Sequence, residues 1–290
     1  MTTYTETLNE KQIKKFEDTY KKYKVTSPTQ YIKSQWKIDG CTITLYNSNK
    51  VVFQGVDASD YYNLISKKSI NDKQNPIVYP QAGSDEVGTG DYFGPVCVCA
   101  CIVDLSQAQE LKKLNINDSK VMTDEYILEI GEKVKSLCTY SVLVLHNKKY
   151  NEIQPTNNLN RIKARLHNHA YVKLSIKKSL PKLCVVDQFT PKNLYYNYLS
   201  EDKKIVENLH FETKAESKYL SVACASVIAR YTFLLEWKNM EEQYNFNFPK
   251  GASKKVDERA AQFLKLYGST KLSEVAKIHF INSEKLKEYL

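Results

Sequence analysis

Several residue types that mark large protein classes are scarce in this 290-residue sequence. It has only 9 glycines and 8 prolines, which excludes a collagen-like or low-complexity chain. Its seven cysteines are odd in number and form no C-x-x-C pair, so we expect reduced thiols in a cytoplasmic protein rather than a disulfide framework. No apolar run reaches the length of about 18 residues that a membrane-spanning helix needs, and residues 1–9 are too polar for a signal peptide. The sequence therefore predicts an intracellular protein without membrane contact.

Arginine is also scarce, although the chain is basic. Lys and Arg number 42 against 33 Asp and Glu, for a formal net charge of +9, and only four of the basic residues are arginine. A positive balance favours an anionic partner such as nucleic acid, but a lysine-rich proteome would produce the same excess. Contacts with phosphate would therefore be made chiefly by lysine, which is a flexible point charge rather than a bidentate fork.

The N-terminal part of the chain changes its hydrophobic period from helical to alternating. We predict a small α+β domain over residues 1–66 and a polar linker over 67–80. The predicted elements of the small domain are a helix over 8–24, strands over 31–38, 41–46 and 51–54, and a second helix over 58–66.

The predicted N-terminal sheet has two unlike faces. One is apolar and includes Trp36, while the other carries Lys33 and Lys37 beside threonines and tyrosines. A face with charge, hydroxyls and rings suits phosphate contacts and base stacking in nucleic-acid binding. The commoner explanation of such a pattern is the solvated outer face of an antiparallel sheet. The pattern alone leaves both interpretations open.

Residues 81–290 alternate between strand and helix patterns, which predicts an α/β domain. Cys97, Cys99 and Cys101 alternate along one predicted strand, where packing in the core is favoured over a metal site. The predicted strands cover 94–104, 140–146 and 183–187, and the predicted helices cover 124–137, 159–178, 217–237, 257–266 and 272–276.

The densest unusual segment is G-S-D-E-V-G-T-G-D-Y-F-G-P at residues 83–95. It places Asp85 and Glu86 side by side in what we predict to be a glycine-rich turn before an apolar strand, and carboxylates of this kind hold hard divalent cations. Regular strand alternation would point the two acids to opposite faces, so both serve one site only if the backbone bends or if they contact it differently. The alternative is a glycine-rich surface loop.

Two further acids follow apolar or small-residue elements. Asp187 ends the predicted strand 183–187, and Glu216 opens the helix 217–237. Sites gather beyond strand ends in open α/β sheets, although a turn aspartate and an acid in the first turn of a helix are common without any ligand. Together the four acids, with no His or Cys set nearby, favour Mg²⁺ or Mn²⁺ over zinc.

These residues, taken in order, resemble the motifs of the type 2 ribonucleases H. The resemblance is carried by the 83–95 segment, Asp118-Ser119-Lys120, Asp187, and K-A-E-S-K at 214–218 followed by S-V-A-C-A-S-V-I-A-R at 221–230. The triplet Gly88-Thr89-Gly90 and the acid at Glu216 resemble the ribonuclease HIII branch. The N-terminal helix and sheet are similar to the TATA-box-binding-protein-like domain of that branch.

The resemblance implies a ribonuclease H-like fold, with a mixed sheet flanked by helices, and endonucleolytic cleavage of the RNA strand of RNA–DNA hybrids to leave 3′-hydroxyl and 5′-phosphate ends. Two divalent ions would be held by Asp85, Glu86, Asp187 and Glu216, with Asp85 bridging both. It also implies that the backbone of Gly88, Thr89 and Gly90 contacts 2′-hydroxyls and that Ser119 and Lys120 hold a backbone phosphate. Lys33 and Lys37 would strengthen binding of the hybrid at a distance from the cleaved bond.

Three alternatives remain at the level of the sequence. One is a resolvase or transposase-like nuclease of related fold, which would cut DNA without any ribonucleotide. A ribonuclease HII-like enzyme would cut at single ribonucleotides, but that branch typically has Arg where this chain has Thr89. A noncatalytic nucleic-acid-binding protein would use only the basic N-terminal sheet. His167 and His169 lie on the basic helix 159–178, where we expect phosphate or structural contacts rather than catalysis. Nothing in the sequence marks an interface, so we expect a monomer.

Overall fold

The computed structural model describes residues 2–25, 29–38, 40–55, 58, 62, 78–116 and 122–289. The chain forms two compact units, Met1–Ile77 and Val78–Leu290. The predicted boundaries at 66 and 80 stay a prediction, because residues 63–77 lie outside the described part of the chain. The helix predicted over 58–66 lies largely outside it as well.

The N-terminal unit is an antiparallel sheet of five strands with one α-helix in its described part. Its strands run in the order β1-β5-β4-β3-β2. The predicted helix over 8–24 is shorter than expected and gives way to a 3₁₀ turn, Lys21–Tyr23. Strand β1 was not predicted. The elements are β1 (Thr2–Thr7), α1 (Glu10–Thr19), β2 (Lys24–Val25), β3 (Ile32–Ile38), β4 (Cys41–Tyr46) and β5 (Lys50–Gly55).

The core of this unit lies between α1 and one face of the sheet. The ring of Trp36 is fully buried and meets the edge of Phe16 from α1 at 4.8 Å between ring centroids. Lys33 and Lys37 are exposed, as the alternation predicted. Thr44 lies on the predicted polar face opposite Gln35 and is buried there, and its hydroxyl accepts a hydrogen bond from the Gln35 amide.

The second unit is built on a mixed sheet of five strands in the order β10-β9-β6-β7-β8. Strands β6, β9 and β10 are parallel to one another, while β7 is antiparallel to both of its neighbours, β6 and β8. The strands are β6 (Gln81–Val87), β7 (Val96–Val103), β8 (Thr139–Leu145), β9 (Leu183–Asp187) and β10 (His210–Glu212).

Helices cover both faces of this sheet. Helix α7 (Leu220–Tyr244) packs on the face that carries the three alternating cysteines of β7. Helix α5 (Leu159–Lys177) packs with Val96, Val98 and Ala100 on the other face. The cysteines are buried and unbridged, as a core role requires. The helices are α2 (Leu105–Lys113), α3 (Asp124–Leu137), α4 (Asn147–Ile153), α5 (Leu159–Lys177), α6 (Lys192–Tyr198), α7 (Leu220–Tyr244), α8 (Lys254–Val275) and α9 (Ile281–Lys285).

Two of these helices have unusual features. Helix α8 is broken at Gly268, whose φ of 79° is not helical, which agrees with the prediction of two separate helices there. Helix α7 is the one helix in the described ranges that is long and apolar enough to cross a bilayer by length and composition. In its most apolar stretch, 72% of the residues are buried inside the fold, which is the burial of a central core helix.

Candidate active site

Asp85 and Glu86 lie on strand β6 rather than in a turn, which corrects the prediction. Residues 81–87 pair with β7 throughout, with Asp85 opposite Cys99 and Glu86 opposite Val98. The turn begins only at Gly88, where φ is +88°. The strand was missed because Gly83 and Ser84 weaken its apolar pattern. Gly83 is needed for packing, since a Cβ there would lie 2.3 Å from the main-chain nitrogen of Val222 in α7.

The two acids face opposite sides of the sheet, as strand alternation requires. The carboxylate of Asp85 accepts a hydrogen bond from the hydroxyl of Ser226 on α7 and another, of 2.8 Å, from the main-chain N–H of Glu86. The carboxylate of Glu86 instead contacts side chains of α5. The acidic group is therefore built at the end of β6 from both faces.

Asp187 reaches the same edge because β9 runs parallel to β6. The register sets Ser84 opposite Val186, so the next residue of each strand, Asp85 and Asp187, comes to the same level. The main-chain N–H of Ala215 donates a hydrogen bond of 2.9 Å to Oδ1 of Asp187.

Glu216 follows Ala215 directly, so the hydrogen bond to Asp187 anchors the turn that carries it. The side chain is buried, with a relative exposure of 6%. The prediction that Glu216 opens α7 is wrong. Glu216 lies in the short 3₁₀ turn Ala215–Ser217, which follows Lys214 in the left-handed conformation. The structure thus brings the two acids of β6 and Asp187 to one edge, with the Glu216 turn bonded to it.

The electrostatics of Asp85 show how crowded these acids are. Burial first, and then the negative charge of Glu86, raise the pKa of Asp85 to about 8, and Asp187 adds to the rise. The hydrogen bonds from Ser226 and from the N–H of Glu86 offset part of this effect. A cation would relieve the repulsion, and carboxylate oxygens are the donors that hard divalent cations prefer. The donor set therefore fits Mg²⁺ or Mn²⁺.

The negative charge of Glu86 is compensated by two basic side chains of the protein, His167 and Lys163. Burial would raise its pKa, but the hydrogen bond and charge of His167, followed by Lys163, outweigh burial and lower the pKa to about 2. In the described ranges, no group of three His, Cys, Asp or Glu side chains is arranged to hold a metal. Both oxygens of Glu86 contact basic groups and one oxygen of Asp187 accepts an N–H, so an ion would share these oxygens with their present partners, since each carboxylate oxygen has two lone pairs.

Lys163 and His167 were not identified as site residues from the sequence. They are four residues apart on α5 and therefore share one face of the helix. That spacing was the available signal, but it could not show which strand the face packs against. His169, by contrast, is exposed, and its Nε2 lies 3.8 Å from a carboxylate oxygen of Asp202.

The glycine triplet forms the turn that leaves β6. A Cβ on Gly88 would lie 2.2 Å from the carbonyl oxygen of Pro95, so both φ and space require glycine there. Thr89 is partly exposed and Gly90 is exposed. The turn is tied down just beyond the triplet, where Oδ1 of Asp91 accepts a hydrogen bond of 2.6 Å from the N–H of Gly251.

The remaining predicted residues are placed as follows. Ser119 and Lys120 lie outside the described residues, so their predicted phosphate contact stays a prediction. Lys33 and Lys37 belong to the N-terminal unit, and their predicted role also stays a prediction. A mixed sheet between helices, with acids at the neighbouring ends of two parallel strands, defines a ribonuclease H-like α/β fold.

Comparison with known proteins agrees with this class. Residues 82–283 match the family Ribonuclease HII, and residues 6–76 match a domain of unknown function (DUF3378). The Ribonuclease HIII of Bacillus mycoides (strain KBAB4) is 42% identical over 270 residues, which cover 86% of each chain. That of Bacillus pumilus (strain SAFR-032) is 42% identical and covers 88% of this chain and 89% of its own. The crystal structure of Bst-RNase HIII in complex with Mn²⁺ matches with a TM-score of 0.72 and 32% identity over 99% of both chains.

The chain therefore belongs to the ribonuclease HII family and, within it, to the ribonuclease HIII group. It is a ribonuclease H, a hydrolase of the nuclease class, and the resemblance seen in the sequence is confirmed. The match to ribonuclease HIII covers both units, so neither the ribonuclease HII-like alternative nor the noncatalytic one is favoured.

Proposed function

We propose that this protein hydrolyses the RNA strand of RNA–DNA hybrids at a site formed by Asp85, Glu86, Asp187 and Glu216, leaving 3′-hydroxyl and 5′-phosphate ends. The four acids hold two divalent ions, Mg²⁺ or Mn²⁺. The observation that carries this proposal is the approach of Asp187 to Asp85 at one sheet edge, where the negative charge of Asp187 adds to the effects that raise the pKa of Asp85.

The bound ions would activate the attacking water and neutralise charge on the cleaved phosphodiester. The chain's own residues prepare the place for this chemistry. Asp85 loses its proton when positive charge arrives, because burial and neighbouring acids are what hold that proton. Glu86 stays ionised beside its basic partners. No protein nucleophile is required.

Substrate choice belongs to the turn beside the acids. The backbone of Gly88, Thr89 and Gly90 contacts the 2′-hydroxyls next to the cut, since the 2′-hydroxyl is what distinguishes RNA from DNA. Ser119 and Lys120 hold a phosphate of the backbone. The exposed Lys33 and Lys37 of the N-terminal sheet add sequence-independent affinity for the phosphates of the hybrid.

The protein acts as a monomer in the cytoplasm, with nucleic acid as its partner and without membrane attachment. Its reduced, buried cysteines suit a reducing compartment. The apolar helix α7 is buried in the core, where it packs as part of the fold.

The test is cleavage of labelled duplexes by the wild type and by Asp85→Asn, with Mg²⁺, Mn²⁺ or EDTA. We expect the wild type to cut a uniform hybrid in either metal, and Asp85→Asn to lose at least about 100-fold in rate while still binding the hybrid. Glu129→Gln, at an exposed acid of α3, is the matched control and should cut normally.

Three substrates separate the possible outcomes. A uniform hybrid, a duplex with one ribonucleotide and an all-DNA duplex are compared at equal concentration. Preference for the single ribonucleotide, cutting of all-DNA duplex, or full activity of Asp85→Asn would each contradict the proposed function.

A further inference from the structure

Both carboxylate oxygens of Glu86 are held by side chains of one helix. Nζ of Lys163 lies 2.6 Å from Oε1, and Nε2 of His167 lies 2.9 Å from Oε2. An ionised carboxylate only accepts hydrogen bonds, so Nε2 of His167 carries a proton and donates it. Two donors on separate oxygens fix the position of the carboxylate and also its rotation about its terminal bond.

The two donors are themselves fixed. His167 is fully buried, and its Nδ1 lies 2.7 Å from the hydroxyl of Ser84, which is two residues before Glu86 on the same face of β6. The ring of Phe189 packs 5.3 Å from the His167 ring and lies beneath the ammonium of Lys163, whose Nζ is 4.0 Å from its centroid. Neither donor can leave Glu86 without breaking a second contact.

This arrangement is not explained by stability alone. A buried ion pair gains little over apolar side chains of similar size, because desolvation offsets the attraction. The sheet face around it is otherwise apolar, with Val98, Ala100 and Ala82 packed under α5. The contacts converge on one of the four proposed metal-binding acids, whereas Asp85 has a hydroxyl and an amide as its donors.

We propose that Lys163 and His167 are positioning residues that hold the Glu86 carboxylate in the orientation in which it contributes to metal binding and catalysis. This inference rests on the proposed function of the acidic group. Lys163 and His167 act through Glu86 and do not themselves contact the reacting phosphate. Partners of this kind, which orient a metal-binding side chain, typically change metal affinity or activity 10–100-fold when they are replaced.

A pair of substitutions at His167 separates orientation from packing. His167→Gln can place an amide N–H near the position of Nε2 and keep the donor to Glu86, whereas His167→Asn can keep a polar contact with Ser84 but cannot reach Glu86. We expect His167→Gln to stay within about threefold of the wild type and His167→Asn to fall about 10–100-fold in kcat on the hybrid.

Mn²⁺ binding, measured without substrate from the electron paramagnetic resonance signal of free Mn²⁺, is the second readout. It should weaken in His167→Asn and not in His167→Gln, while the thermal midpoints of the two variants in EDTA stay alike. Hybrid affinity without divalent metal should not change in either. Equal activity and equal Mn²⁺ affinity in the two variants would overturn the proposal.

Lys163 provides an independent test if His167→Asn does not fold. Lys163→Met removes the ammonium and keeps the apolar stem, and Lys163→Arg retains a donor; only the first should lose kcat and Mn²⁺ affinity. Lys173→Met, at an exposed lysine of the same helix, is the control. If Lys163→Met matches this control, the proposal is wrong. A wild type that neither binds Mn²⁺ nor cuts the hybrid would instead overturn the proposed function.

Discussion

The side chain of Lys277 donates a hydrogen bond of 2.6 Å to the carbonyl oxygen of Gly94, from a position that is fully buried. The same nitrogen lies 2.7 Å from the carbonyl oxygen of Asp91. The main-chain N–H of Lys277 donates a hydrogen bond to the carbonyl oxygen of Tyr92. The residue that follows α8 by two positions thus holds the segment between the glycine triplet and β7. The C-terminal region is part of the support of the site's turn.

Replacement of Lys277 by Met is expected to lower stability by about 1–3 kcal/mol, because buried carbonyl oxygens lose their donor. The loss should depend on pH. Burial lowers the pKa of Lys277 to about 7, while in the unfolded chain it titrates near 10.5. Between these values the unfolded state binds more protons, so the stability of the wild type rises with pH by up to about 1.4 kcal/mol per unit.

Urea denaturation at pH 7 and pH 9 measures this effect. The gap in free energy of unfolding between the wild type and Lys277→Met should widen at the higher pH. Lys265→Met, at an exposed lysine of α8, should show no such change. A gap that stays constant or narrows would count against the assignment.

The crowding of acids predicts that Asp85→Asn is more stable than the wild type in EDTA above neutral pH. The pKa of Asp85 is raised from 3.8 to about 8, so the folded state holds a proton that the unfolded state has lost. Stability from this group is therefore present below about pH 4 and is lost as pH rises towards 8, at up to about 1.4 kcal/mol per unit. Asparagine carries no charge and removes the penalty.

Thermal melts at pH 5 and pH 8 without metal test this expectation. The advantage of Asp85→Asn over the wild type should be larger at pH 8, and Mn²⁺ should stabilise the wild type more than the variant. The Glu129→Gln control should melt like the wild type at both values. An advantage that is equal at the two pH values would refute this explanation.

Two glycines of the 83–95 segment should differ sharply in their tolerance of alanine. Gly83→Ala would drive a Cβ against Val222 and Ser221 of α7, and we expect it to cost about 1–3 kcal/mol of stability. Gly90→Ala meets nothing within 4 Å, so it should change stability by no more than about 0.5 kcal/mol. Denaturant titration compares the two, and a similar loss in both would contradict the packing described for β6 and α7.

The double substitution Lys33→Ala/Lys37→Ala tests whether these two lysines of the N-terminal sheet contribute to hybrid binding. Each lysine that neutralises a phosphate adds about 0.9 to the salt dependence of binding, so the slope of log K against log salt should fall by about 2. Cleavage at saturating hybrid should be unchanged. Lys14→Ala/Lys21→Ala, two exposed lysines of the α1 region, is the charge-matched control. An equal loss of affinity in both doubles would show that only net charge matters.

Elements with a strong period were predictable to within a few residues. Strand β9 and helix α3 have the predicted bounds, and β7 differs only at its ends, because long apolar runs and capping residues act locally. Strand β1 was missed because its residues, Thr-Thr-Tyr-Thr-Glu-Thr, have no apolar face, and it is fixed by pairing with β5. Strand β6 was missed because Gly83 and Ser84 weaken its apolar pattern.

The sequence by itself determined which residues are available for the chemistry. Four acids in a recognisable order, a glycine triplet and alternating apolar runs are local patterns, and each is fixed by a few neighbouring residues. Only the tertiary structure decided that Asp85 and Glu86 lie on a strand, that Ala215 anchors Asp187, and that α5 supplies both donors to Glu86. These contacts join residues that are far apart in the chain, and they depend on the register and packing of the whole sheet.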